Sequence, residues 1–186
     1  LAAALRRVGL EMRHPLTGAS DHGVSEALYL DDPDGLGIEL YRDRPIDQWP
    51  EHGAEERVHM FTAPLDLDDL LAADSDAPPE VASLGVDIGH VHLKVADVEA
   101  AATFWTESMG MDLMQRFGPD AVFLGRDGYH HHIGANTWAS RGQKLEPADG
   151  PGLQRVGIYV DEAEDRGPLV TPDGVPIERI PREPAT

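Results

Sequence analysis

The sequence predicts an α+β fold of two tandem modules joined by a connector, the second with the order βαβββ. Three observations predict it. From residue 90 onward the patterning runs strand, helix, strand, strand, strand. A turn followed by a strand occurs twice, as "DPDGLGIELYRDRP" from Asp32 and "TPDGVPIERIPREP" from Thr171. Between them lies a stretch rich in Pro, Asp and Ala, so the chain reads as 1–48, the end of a first module, 49–84, a connector, and 85–186, a second module.

Residues 1 to 8 read as a helix, with Leu1, Ala4, Leu5 and Val8 on one stripe and Gly9 as its stop. A helix with neither a cap nor an initiator Met before it is expected to continue a longer chain. Short strands follow. In the repeated segment Pro33 matches Pro172, Gly35 matches Gly174, Ile38 matches Ile177 and Glu39 matches Glu178, all 139 positions apart. Pro-Asp-Gly supplies a turn, and the strand that leaves it carries a glutamate between apolar neighbours. In the connector, the leucines of "DLDDLLAADSD" allow one short helix within an otherwise solvated acidic run.

The second module opens on a strand in which Val91, Leu93 and Val95 alternate with His90, His92 and Lys94, giving one apolar face and one face of imidazoles. Asp97 is placed to cap a helix whose Val98, Ala101, Ala102, Trp105 and Met109 recur at helical spacing, with Gly110 ending it. Strands are expected around Leu113 and Val122–Leu124, then through "DGYHHHIGANTW", where alternation would turn His130 and His132 to one face and His131 to the other. Another unit should start at "LQRVGIYVDE", but "AEDRGPLV" leaves no room for a helix of roughly ten residues before the last turn. Either the domain is trimmed there or residues are absent near 161–167.

Composition narrows the function. With 34 Asp and Glu against 15 Lys and Arg, the formal net charge is −19, which repels nucleic acid and anionic membrane surfaces. No apolar run approaches the roughly 18 residues of a membrane span, and a cytoplasmic location is expected. Cysteine is absent, so thiolate metal sites and thiol nucleophiles are excluded and any metal must sit on His, Asp or Glu. If the imidazole faces of the two strands join, His90 or His92 meets His130 or His132, and Glu178 could complete a His/His/carboxylate face suited to Fe(II). The bland alternative is a partly exposed strand whose imidazoles bond to backbone and water, with solvent-facing glutamates. His14, His52 and His59 read as ordinary polar residues.

The segments "GHVHLKVADVEAAATFWTESMGM", "GYHHHIGANTW" and "DHGVSEALYLDDPDGLGIELYRDRP", with "VHMFTAPLDLDDLLA" in the connector, together resemble the vicinal-oxygen-chelate superfamily of glyoxalases, bleomycin-resistance proteins and extradiol dioxygenases. Within it the chain is most similar to bacterial catechol 2,3-dioxygenase-type proteins. The resemblance implies paired βαβββ units forming cup-shaped mixed sheets around a metal. It implies that Glu39 ligates Fe(II), that His22 and Tyr29 hydrogen-bond the substrate or its oxygenated intermediate, and that two partner histidines lie upstream of Leu1. Ser20 departs from the residue types usual two positions before that histidine.

The same resemblance offers a rival site in the second module, with His90, His132 and Glu178 as ligands and His131 as an acid/base group. Gln154 and Arg155 stand there where another histidine is usual. The implied activity is Fe(II)-dependent extradiol cleavage of a catechol-type aromatic by dioxygen, in a homo-oligomer. The alternatives are a glyoxalase-like lyase or isomerase using Zn, Ni or Mn, and a metal-free binder of the bleomycin-resistance type.

Overall fold

The computed structural model describes residues 1–54, 56–72, 86–143, 151–160 and 168–182. The chain divides into two units, Leu1–Gly89 and His90–Thr186.

In the first unit the opening helix α1 spans Ala2–Ala4 and continues as a π-helical stretch over Leu5–Glu11. Gly9 does not stop it. The wider turn carries the bonding onward, with the Met12 N–H donating to the Arg7 carbonyl at 2.9 Å and the His14 N–H to that of Val8 at 2.9 Å. The left-handed position expected of a terminal glycine is taken by Arg13, at φ 53°. Strands β1 (Gly18–Asp21), β2 (Ser25–Asp31), β3 (Gly37–Asp43) and β4 (Ala63–Pro64) form an antiparallel sheet in the order β3-β2-β1-β4. Helix α2 (Leu67–Ala72) is the short helix expected at the connector's leucines. Leu5 at the start of the π-helical stretch, Leu28 of β2 and Leu70 of α2 form a buried apolar cluster of this unit. Because side chains alternate along a strand, burying Leu28 turns Tyr29 to the sheet's other face.

The second unit follows the expected order. Strand β5 (Val91–Lys94) leads to helix α3 (Val98–Thr103), which ends in a π-helical stretch, Phe104–Ser108; β6 (Asp112–Phe117), β7 (Ala121–Gly125) and β8 (Ile133–Asn136) follow. Asp97 caps α3, its carboxylate accepting from the backbone N–H groups of Glu99 at 2.8 Å and Ala100 at 3.1 Å. Val98, Ala101, Ala102, Trp105 and Met109 are all buried, together with Leu93, Val122, Leu124, Ile133 and Ala135. The strand order is β5-β8-β7-β6, with β5 parallel to β8 and the other pairs antiparallel. A second sheet, β9 (Val156–Val160), β10 (Leu169–Val170) and β11 (Pro176–Pro181), sends Val156 and Ile177 into the same core.

The repeated segment has one geometry in both places. Gly35 and Gly174 hold φ of 80° and 88°, where an L side chain would be strained. The residue three before each glycine accepts its N–H, Asp32 at 3.0 Å and Thr171 at 2.9 Å. The side chains act alike too, Asp32 Oδ1 accepting from the Leu36 N–H at 2.8 Å and Thr171 Oγ1 from the Val175 N–H at 3.0 Å.

The three histidines are not an alternating strand. Two consecutive left-handed residues, Asp127 (φ 55°) and Gly128 (φ 76°), turn the chain after β7, and β8 begins only at Ile133. His130 and His131 are therefore both buried, instead of pointing to opposite faces. The gap expected near 161–167 lies outside the described residues. Among the described residues no helix is long and apolar enough to cross a membrane.

Candidate functional site

The first unit gathers three of the residues singled out in the sequence. Tyr29 and Glu39 are direct cross-strand partners of β2 and β3, and Gly18 faces Tyr29 from β1. His22 follows β1. The row between His22 and Tyr29 is Ser20 opposite Ala27, two small side chains that leave room for the tyrosine to reach along the sheet. Its hydroxyl donates to Glu39 Oε1 at 2.9 Å and lies 2.7 Å from His22 Nε2. The other ring nitrogen, His22 Nδ1, lies 2.8 Å from the Phe61 carbonyl oxygen. That oxygen can only accept, so Nδ1 carries hydrogen and Nε2 is the nitrogen presented to Tyr29.

The row is one continuous run of hydrogen bonds from the Phe61 carbonyl to Glu39. Its three hydrogen bonds need three hydrogens, whereas a neutral imidazole, a phenol and a carboxylate bring two. While His22 is neutral, the Tyr29 hydroxyl therefore serves either His22 Nε2 or Glu39, not both at once. Burial pushes the Tyr29 phenol well above its ordinary pKa, and the adjacent Glu39 carboxylate pushes it further in the same direction. Tyr29 thus remains a phenol and does not itself ionise near neutrality.

Around the row the polar groups are held in place. Asp21 Oδ1 accepts the Gly23 N–H at 2.8 Å, and Arg44 donates to Asp21 at 2.9 Å and to Glu26 at 3.0 Å. The sequence reading missed the Phe61 carbonyl and these braces. The one signal that pointed to them is the glycine directly after His22, which marks a close backbone approach.

The second unit arranges its histidines differently. His90 and His131 stack with ring centroids 4.3 Å apart, and His131 Nδ1 lies 2.8 Å from His130 Nδ1. His130 and His132 both lie against Tyr129, at centroid distances of 4.1 and 4.9 Å, and the His132 Nδ1 accepts the Arg126 N–H at 3.2 Å. Burial, then the neighbouring His130, holds the His132 pKa below the ordinary histidine value. His92 accepts from the Asn136 amide at 2.8 Å and lies 5.7 Å from the exposed Trp138 ring.

Glu178 stands on β11, opposite Gly157 of β9, and pairs with exposed Arg155 at 3.2 Å. The offset that matches Glu178 to Glu39 puts Pro168 at the counterpart of Tyr29, so no phenol is supplied there. Among the described residues no three His, Asp or Glu side chains converge closely enough to hold a metal ion. His90, His132 and Glu178 are accordingly not brought together as one ligand face. Of the remaining histidines, His14 and His52 meet backbone carbonyls and His59 meets Glu56.

Residues 87–186 match the family model described as the glyoxalase/bleomycin resistance protein/dioxygenase superfamily. A curated relative, the catechol-2,3-dioxygenase of Bacillus subtilis strain 168, is 40% identical over 149 residues, which are 80% of this chain and 52% of the relative. The chain thus spans about half the length of that relative. Among solved structures, a lactoylglutathione lyase from Agrobacterium tumefaciens covers 52% of this chain and is matched over 94% of its own, at 13% identity and a TM-score of 0.38. A possible glyoxalase from Bacillus cereus covers 52% and is matched over 99%, at 21% identity and a TM-score of 0.37. By its sequence match over more than half its length, the chain belongs to the glyoxalase/bleomycin resistance protein/dioxygenase superfamily.

Proposed function

We propose that this chain works in an extradiol-type dioxygenase that opens a catechol-type aromatic ring with dioxygen, using Fe(II), and that His22, Tyr29 and Glu39 belong to its working site. The observation that carries the reading is the hydrogen-bonded row from His22 through Tyr29 to Glu39, at 2.7 and 2.9 Å. A relative named catechol-2,3-dioxygenase at 40% identity supports the same choice over the lyase and binding classes.

Glu39 offers one carboxylate, and among the described residues it has no two further metal ligands gathered beside it. The described set alone does not fit a three-ligand iron face, so the chemistry that follows from it is proton chemistry. A catechol must lose at least one hydroxyl proton to become electron-rich. The Nε2 of His22, with Nδ1 held by a carbonyl, is the basic atom of the row and can take that proton. Tyr29 then donates a hydrogen bond wherever negative charge develops, because its environment keeps the phenol protonated.

The test is purification of the protein without oxygen or chelator, followed by metal analysis and by oxygen uptake with catechol. About one iron per chain and one dioxygen consumed per catechol support the proposal. Bound zinc or nickel with no oxygen uptake would move the reading to a lyase or isomerase. Aromatic uptake without metal or turnover would move it to a binding protein.

A further inference from the structure

We infer that Gly23 and the main chain of Phe61 form a positioning device that sets the tautomer and direction of the His22 ring. The inference rests on His22 working as proposed above, but its structural part can be measured separately. Residue 61 grips residue 22 twice. The Phe61 N–H donates to the His22 carbonyl at 3.3 Å, and the Phe61 carbonyl accepts from the His22 ring at 2.8 Å. The segment is delivered there by β4, whose Ala63 and Pro64 pair with Asp21 and Ser20 of β1, and it is anchored by buried Val58 and Met60.

Gly23 makes this approach possible. It holds φ of 77°, and a Cβ built on it would lie 2.6 Å from Phe61 Cε1 and 2.7 Å from Pro50 Cγ. A side chain there would meet the Phe61 ring and Pro50 and strain a backbone held at positive φ, so the close approach of residues 22 and 61 is expected to loosen. Without the Phe61 carbonyl as acceptor nothing opposes the other neutral tautomer, in which Nε2 carries the hydrogen and cannot take a proton from substrate. The geometry therefore gives the Phe61 main chain a positioning role.

The test is nitrogen NMR of the His22 ring under conditions where it is neutral, on wild type, Gly23→Ala and Phe61→Pro, beside steady-state kinetics. Wild type is expected to show hydrogen on Nδ1. Gly23→Ala, if folded by circular dichroism, is expected to mix the two tautomers and to lower kcat by about 10-fold or more with little change in KM. Phe61→Pro, which removes the N–H that grips the His22 carbonyl, should show the same mixing and decides the matter if Gly23→Ala does not fold. A pure Nδ1–H form in a folded variant of either kind overturns the inference. A tautomer that shifts in a protein inactive toward catechol would leave the positioning device standing and remove the dioxygenase reading instead.

Discussion

Tyr29 joins His22 to Glu39 in one hydrogen-bonded row. Its phenol is raised by burial and by Glu39, so the folded state keeps a proton that the unfolded chain releases near pH 10. Its contribution to stability is full below about pH 10 and is lost as pH rises beyond it. Ultraviolet titration of the four tyrosines should therefore show one that ionises only with alkaline unfolding, and Tyr29→Phe should remove that transition. The same substitution is expected to lower kcat on catechol by about 10²-fold or more, since it removes a positioned proton donor; unchanged kcat would take Tyr29 out of the mechanism. His132 runs the opposite way. Its folded pKa lies below that of the free side chain, so its contribution is present above about pH 6.5 and is lost as pH falls through the folded value. His132→Gln should flatten the acid limb of a melting-temperature profile, and an unaltered limb would show that the loss arises elsewhere.

At the scale of elements, the parts that obeyed simple periodicity were legible. The α3 stripe and its cap could be read because burial on one helical face leaves a repeat in the sequence and a carboxylate cap answers orphan N–H groups locally. Asp97→Ala should accordingly cost about 1 kcal/mol in thermal or denaturant unfolding, and Trp105→Ala, removing a side chain only 1% exposed, about 3–5 kcal/mol. What periodicity could not give was the conformation of the three histidines. A strand reading assumes extended backbone throughout, and the left-handed pair Asp127–Gly128 breaks that assumption just before them. Gly9 misled for a related reason. A π-helical stretch moves the point at which the last carbonyls are satisfied, so the residue that ends α1 is Arg13.

For the molecule as a whole, a formal charge of −19 on 186 residues sets a background repulsion that every local contact works against. Screening shortens its reach from about 30 Å at 0.01 M salt to about 10 Å at 0.1 M. The melting temperature should therefore rise with added sodium chloride before any specific ion effect enters, and a flat response would mean that paired groups such as Arg44 with Asp21 and Glu26 already cancel the repulsion locally. The sequence by itself determined the βαβββ order and the duplicated turn with its glutamates, because each leaves a local trace in spacing, alternation or an obligatory glycine; His22, Tyr29 and Glu39 became candidates together only through the resemblance of their segment to a known family. Only tertiary structure decided that Glu39 has a phenol beside it while Glu178 has an arginine, and that a carbonyl 39 positions along the chain fixes which nitrogen of His22 faces the tyrosine. Those contacts depend on strand register and on close approach between distant segments, which no local pattern of residue types encodes.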